Sequence, residues 1–158
     1  MSTPTWNAAL RYQLTWHWDN QIRPRLNGLT DAEYFWQPAP GAWTVHPRGE
    51  GSVAIEGGVG DFTIDFEFPE PTPAPLTTIA WRLGHVIVGV LAMRNAGHFG
   101  REQTDYMSFD YAGNAEGALA QLDAEYAIWL AGVESLGDEG LAEPCGPAEG
   151  PWEMHPKA

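Results

Sequence analysis

The sequence predicts an all-α protein, a helical bundle of three long helices and one short one. Residues 77–100, TTIAWRLGHVIVGVLAMRNAGHFG, are the most apolar stretch of the chain and read as one long helix. Residues 6–26 and 115–136 each place their apolar side chains on one face at helical spacing. The first two of these helices are separated by a long irregular segment, 39–75, in which glycine and proline are frequent and one short alternation suggests extended chain.

With 158 residues, 44% of them apolar and 18% charged, the chain has the size and balance of a single domain with its own core. Eight tryptophans supply large rigid surfaces for packing or for lining a pocket. The single cysteine, Cys145, excludes an internal disulfide. It lies between Pro144 and Gly146 with no His or Lys beside it and reads as an inert loop thiol. A net charge of −13 repels phosphate backbones and anionic lipid, which excludes nucleic acid and membrane surfaces as partners. The start, MSTPTWNAALRYQ, lacks the basic stretch and apolar core of a signal peptide. The apolar run from Val86 to Met93 is far short of the ~20 residues that span a bilayer. These features predict a soluble, cytoplasmic protein.

In the first helix, Leu10, Leu14, His17, Trp18, Ile22 and Leu26 fall on or near one face, with Arg11, Gln13, Asp19 and Gln21 outward. Thr5 is placed to cap its start, and Pro24 to bend or end it. Thr30 and Glu33 have capping-box spacing, which predicts a short helix from Asp31 to about Trp36. Within 39–75, Phe62, Ile64, Phe66 and Phe68 alternate with Thr63, Asp65 and Glu67, a period of two. Pro69 to Pro75 should be extended, a stiff strut leading to the next helix. A loop this long in a small domain is expected to be functional or laid over a pocket.

The central helix should start at Thr77 or Thr78 and run roughly 34 Å. Trp81, His85, Val88 and Ala92 share one side, with Leu83, Val86 and Val90 on the neighbouring strip. Gly84 and Gly89 cost helix propensity and so mark close approach of another element. His98 suits the negative end of this helix. REQTDYMSFDYAG reads as a polar, turn-rich connection. Asn114 then opens the last helix, whose stripe is Leu119, Leu122, Tyr126, Trp129 and Val133, with Gly137 as its C-cap and loop beyond.

No phosphate-binding loop, dinucleotide fingerprint, CxxC pair, HExxH or GxSxG occurs. The histidines, His17, His46, His85, His98 and His155, are scattered. His85 alone lies inside a regular, largely apolar helix. It reads either as a packed histidine bonded to a neighbour or as a metal ligand or general base. His17 reads either as packed beside Trp18 or as lining a site, and Trp81 would line the same pocket. A transition metal needs three or four ligands, which bundles supply from facing helices; His17 would be a second ligand.

The stretches LTWHWDNQIRPRLNGLTDAEYFWQPAPGAWTV, TTIAWRLGHV, ALAQLDAEYAIWLAGVESL and LAEPCGPAEGPW, in this order, resemble the DinB-like (damage-inducible, YfiT-type) family, which includes mycothiol- and bacillithiol-dependent transferases. The resemblance implies a four-helix bundle of up-down-down-up topology with a nickel or zinc ion held by three histidines, and members are often dimers. His85, in RLGHV, matches the metal ligand of the second long helix. The other two family ligands lie on a last helix that would begin near His155-Pro156-Lys157-Ala158, where this sequence stops. His155 matches neither of them. The resemblance therefore implies one ligand of three and three of four bundle helices within residues 1–158, with the fourth long helix apparently missing. Its functional implication is a metal-dependent, thiol-using (mycothiol-type) transferase, or a hydrolase-like enzyme, acting on a small molecule. The competing expectation is a non-catalytic small-molecule-binding or interaction module on the same bundle.

Overall fold

The first helix, α1 (Trp6–His17), is capped by the Thr5 hydroxyl, which accepts from Ala8 N–H at 3.2 Å. The computed structural model describes residues 5–51 and 53–157. Beyond His17 the helix widens into a π-helical stretch, Trp18–Ile22, and tightens into a 3-10 turn, Arg23–Leu26, with Pro24 near its start. A second, short helix, α2 (Asp31–Tyr34), has the expected capping box: Thr30 and Glu33 exchange side chain-to-backbone bonds of 2.9 and 3.3 Å. It ends two residues earlier than the spacing predicts.

The segment 39–75 corrects the all-α expectation. It forms a three-stranded antiparallel sheet, β1 (Val45–Pro47), β2 (Ile55–Gly57) and β3 (Phe62–Phe66), in the order β1-β3-β2. Only β3 was long enough to show its alternation; strands of three residues carry no readable period. The register sets His46 opposite Thr63 and Glu56 opposite Asp65. These four polar residues therefore share one face of the sheet. Asp65, 5% exposed, has a partner for each of its polar atoms. Its carboxylate accepts from Thr44 N–H (2.8 Å) and from His46 Nε2 (2.9 Å), its N–H donates to the Thr44 carbonyl, and its carbonyl accepts from Trp81 Nε1 at 2.9 Å. The proline run that follows is not a straight strut: it bends at 68–69 and again at 72–73.

The central helix runs over 79–99 as α3 (Ile79–His85), a π-helical stretch (Val86–Ala92) and α4 (Met93–Phe99), capped by Thr78, whose hydroxyl accepts from Trp81 N–H at 3.1 Å. Its buried stripe is Ala80, Leu83, Ile87, Val88 and Leu91, against Val45, Ile64, Tyr34 and Tyr111. Val86 and Val90, expected near the packed side, are 37% and 43% exposed, and Trp81 and His85 flank the stripe. A helix this apolar has no polar face from which its inward direction could be read. Gly84 is needed for close approach: a Cβ there would lie 2.9 Å from Ile64 Cδ1.

The last helix, α5 (Ala115–Ala142), is capped by Asn114, which accepts from Gly117 N–H at 2.7 Å. Leu122, Tyr126 and Val133 of the predicted stripe are buried. It meets α1 at Asn7 and Arg11, and the π-helical stretch beyond at Trp18. Asn7 donates to the Val133 carbonyl at 2.6 Å, Arg11 pairs with Glu134 at 2.8 Å, and Trp18 stacks on Tyr126 at 3.6 Å. Leu10 is about 80° off that line on a helical wheel and is left 36% exposed. Gly137, at φ 59°, ends the regular helix as expected, but the chain beyond is not plain loop. Helix resumes to Ala142, and a 3-10 turn, Pro147–Trp152, returns over α4. There Glu149 Oε1 meets His98 Nε2 at 2.9 Å and Arg94 Nε at 3.3 Å, so His98 holds the returning segment as well as sitting at a helix end. No helix among the described residues is long and apolar enough to cross a membrane.

Two outcomes follow from this core. Asp65→Ala leaves the Thr44 and His46 donors without their acceptor and should lower stability by about 3 kcal/mol, read from urea denaturation. Burial holds the Tyr34 and Tyr111 phenols well above the ordinary value of 10.0. The unfolded chain then loses these protons first, so stability present below pH 10.0 should decline as pH rises further. Absorbance at 295 nm should show the late ionisation together with loss of near-ultraviolet circular dichroism.

Candidate functional site

Where the central helix crosses the sheet, the bond from Trp81 Nε1 to the Asp65 carbonyl sets the indole against β3. Trp81 begins a closed circuit of five rings. It lies 5.4 Å from His85 and 6.0 Å from Trp43; Trp43 is 6.3 Å from Phe66, Phe66 6.4 Å from Tyr106, and Tyr106 6.0 Å from His85. All five rings line one cavity of about 380 Å³, with Ile64, Asp65, Glu67, Phe68 and Glu70 completing its wall. That volume is in the lower part of the range for small-molecule sites.

His85 is exposed at the edge of the helix, yet its ring is firmly placed. The Trp81 indole lies nearly parallel to it, 9° between planes, and its Nδ1 is 2.6 Å from the Tyr106 hydroxyl. Nε2 has no hydrogen-bond partner among the described residues. Burial raises the Tyr106 phenol above its usual value, a shift only partly opposed by the nearby Arg94 cation, so the hydroxyl is protonated at neutral pH. Two proton arrangements satisfy the contact. If the phenol donates to Nδ1, Nε2 carries the ring proton and is a donor; if Nδ1–H donates to the phenol, Nε2 is a free base.

Tyr106 is held by a local turn. The Asp105 carboxylate accepts from Ser108 N–H, Met107 N–H and the Ser108 hydroxyl, each at 2.9 Å, and these bonds hold its carboxyl below the usual carboxylate range. On the helix side, Gly89 makes the seat. A Cβ at that position would collide with the Tyr106 hydroxyl.

Of the residues singled out in the sequence, Trp81 and His85 come together here. His17 does not: it is exposed on α1, edge-on to Trp16 at 5.1 Å, and does not line the cavity. His46 is buried in the sheet, His98 is bonded to Glu149, and His155 lies against Trp152. A resident transition metal needs three or four donors, and among the described residues no group of three or more His, Cys, Asp or Glu is placed to hold one. His85 with its neighbours does not fit a closed metal centre.

Sequence reasoning missed Tyr106, Trp43, Phe66, Phe68, Glu67 and Glu70 as site residues. Their one legible signal was the length of the 39–75 loop, from which most of the cavity wall comes. Tyr106 gave none, since it sits in a segment with no periodicity.

These features define a mainly helical protein with an aromatic cavity at the junction of its central helix and a small sheet. The chain belongs to the DinB superfamily, whose family model matches residues 61–157, from the start of β3 to the C-terminal segment. No curated protein and no solved structure gives a significant match to it.

The His85–Tyr106 contact predicts a specific coupling. Tyr106→Phe should move the His85 Nδ1 resonance in a long-range ¹H–¹⁵N spectrum. Gly89→Ala, which fills the seat and pushes the Tyr106 hydroxyl away while leaving both partner residues unsubstituted, should move it in the same direction. Nδ1 shifts unchanged in both variants would mean that the hydrogen bond does not form.

Proposed function

We propose that this DinB-superfamily chain binds a small molecule in the cavity beside His85. The observation that carries this reading is the closed circuit of aromatic rings around a cavity into which one oriented imidazole is set. Rigid rings offer apolar contact at low entropic cost, and a single imidazole nitrogen without a protein partner can give or take one hydrogen bond from what is bound. Benzyl alcohol, a neutral aromatic probe, should give saturable ¹H–¹⁵N shifts at the Trp43 and Trp81 indoles. Trp81→Ala should abolish them. Shifts that scatter over the surface, or fail to saturate, would refute the proposal.

The second reading is a metal-dependent, mycothiol-type transferase. Its support is family membership together with an imidazole whose Nδ1 is held by Tyr106 and whose Nε2 has no partner among the described residues, the arrangement in which a histidine is oriented as a ligand. With one imidazole in place, titration with nickel or zinc should show no saturable binding at micromolar concentration. Saturable binding that disappears in His85→Ala would establish the metal reading in its place.

A further inference from the structure

We infer that the cavity takes a small organic cation, an amine or quaternary ammonium group; this rests on the binding reading above and names the chemistry of its ligand. Trp43, Phe66, Trp81 and Tyr106 present electron-rich rings to the cavity, and such rings attract a cation within about 6 Å of their faces. Two carboxylates, Glu67 and Glu70, stand in the same wall, and neither makes an ion pair or a side-chain hydrogen bond among the described residues. Glu67 is half-buried, so a cation there would meet it partly shielded from water. The Asp65 carboxylate is already spent on Thr44 and His46, which leaves charge recognition to the two glutamates.

What the wall lacks points the same way. Among the described residues no Lys or Arg lines this cavity; Arg94, whose charge acts on Tyr106, is turned to Glu149 and the Gly89 carbonyl. An anionic ligand would therefore face two carboxylates with no counter-charge. A net charge of −13 adds a long-range field that concentrates cations and repels anions. The size of the cavity, about 380 Å³, suits a small molecule rather than a polymer.

The test compares two probes of the same shape, choline and its neutral isostere 3,3-dimethyl-1-butanol, by titration calorimetry and indole N–H shifts. Choline should bind about tenfold more tightly. The double variant Glu67→Gln, Glu70→Gln should bring choline down toward the isostere and leave the isostere unchanged. These side chains make no ion pair or hydrogen bond among the described residues, so an unchanged thermal melt is expected; should the variant not fold, the comparison of the two probes on the natural chain decides. Equal affinity for both probes, or tighter binding of the isostere, would overturn the cation inference while the binding reading stands. Failure of both probes, with benzyl alcohol also failing, would remove the binding reading along with it.

Discussion

The hydrogen bonds of Asp65 join the parts of this molecule that the site needs. One buried residue ties β1 to β3 through its backbone and carboxylate, fixes the His46 ring, and through its carbonyl receives the indole of the central helix. A buried carboxylate is costly unless its oxygens are satisfied. Here each oxygen has a donor, so the charge that might have weakened the sheet instead sets its position against the helix. Trp81 is placed by that bond, and His85, one turn along, is placed by Trp81.

Around this joint the aromatic residues have two roles. Tyr34 and Tyr111 lie in the core with Ile64, Ile87 and Leu122, as large apolar groups usually do. Trp43, Phe66, Trp81 and Tyr106 enclose space instead of filling it. Small residues decide which role is possible. At Gly84 the absent side chain lets Ile64 of β3 pack against the helix backbone, and at Gly89 the missing side chain becomes the seat of the Tyr106 hydroxyl. Two glycines five residues apart on one helix thus serve core packing and site construction separately.

His85 stands at the edge of an aromatic cavity with its ring held in place. Its ring is oriented from two sides, yet the other four histidines are spread over α1, the sheet, the end of α4 and the C-terminal segment. Acid groups near it are glutamates of the cavity wall, not a cluster at ligand distance. The chain belongs to the DinB superfamily, and its cavity is lined by aromatic surface, glutamate carboxylates and one imidazole.

Local signals in the sequence determined the long helices and their caps at Thr5, Thr30, Thr78 and Asn114, because caps and periodicity act within a few residues; the family was legible as a resemblance of several stretches in order. They also marked Trp81 and His85 as neighbours on one helix. Which way the central helix turned was decided only by the tertiary structure, since its apolar residues surround it and the sheet chose the face to bury. The sheet itself, with two of its strands three residues long, draws its order from pairing rather than pattern. The site was legible only by half. Trp81 and His85 are four residues apart on a helix, whereas Trp43, Phe66 and Tyr106 reach them from distant segments, Phe66 from the end of β3, and a contact of that kind exists only once the chain has closed around Asp65.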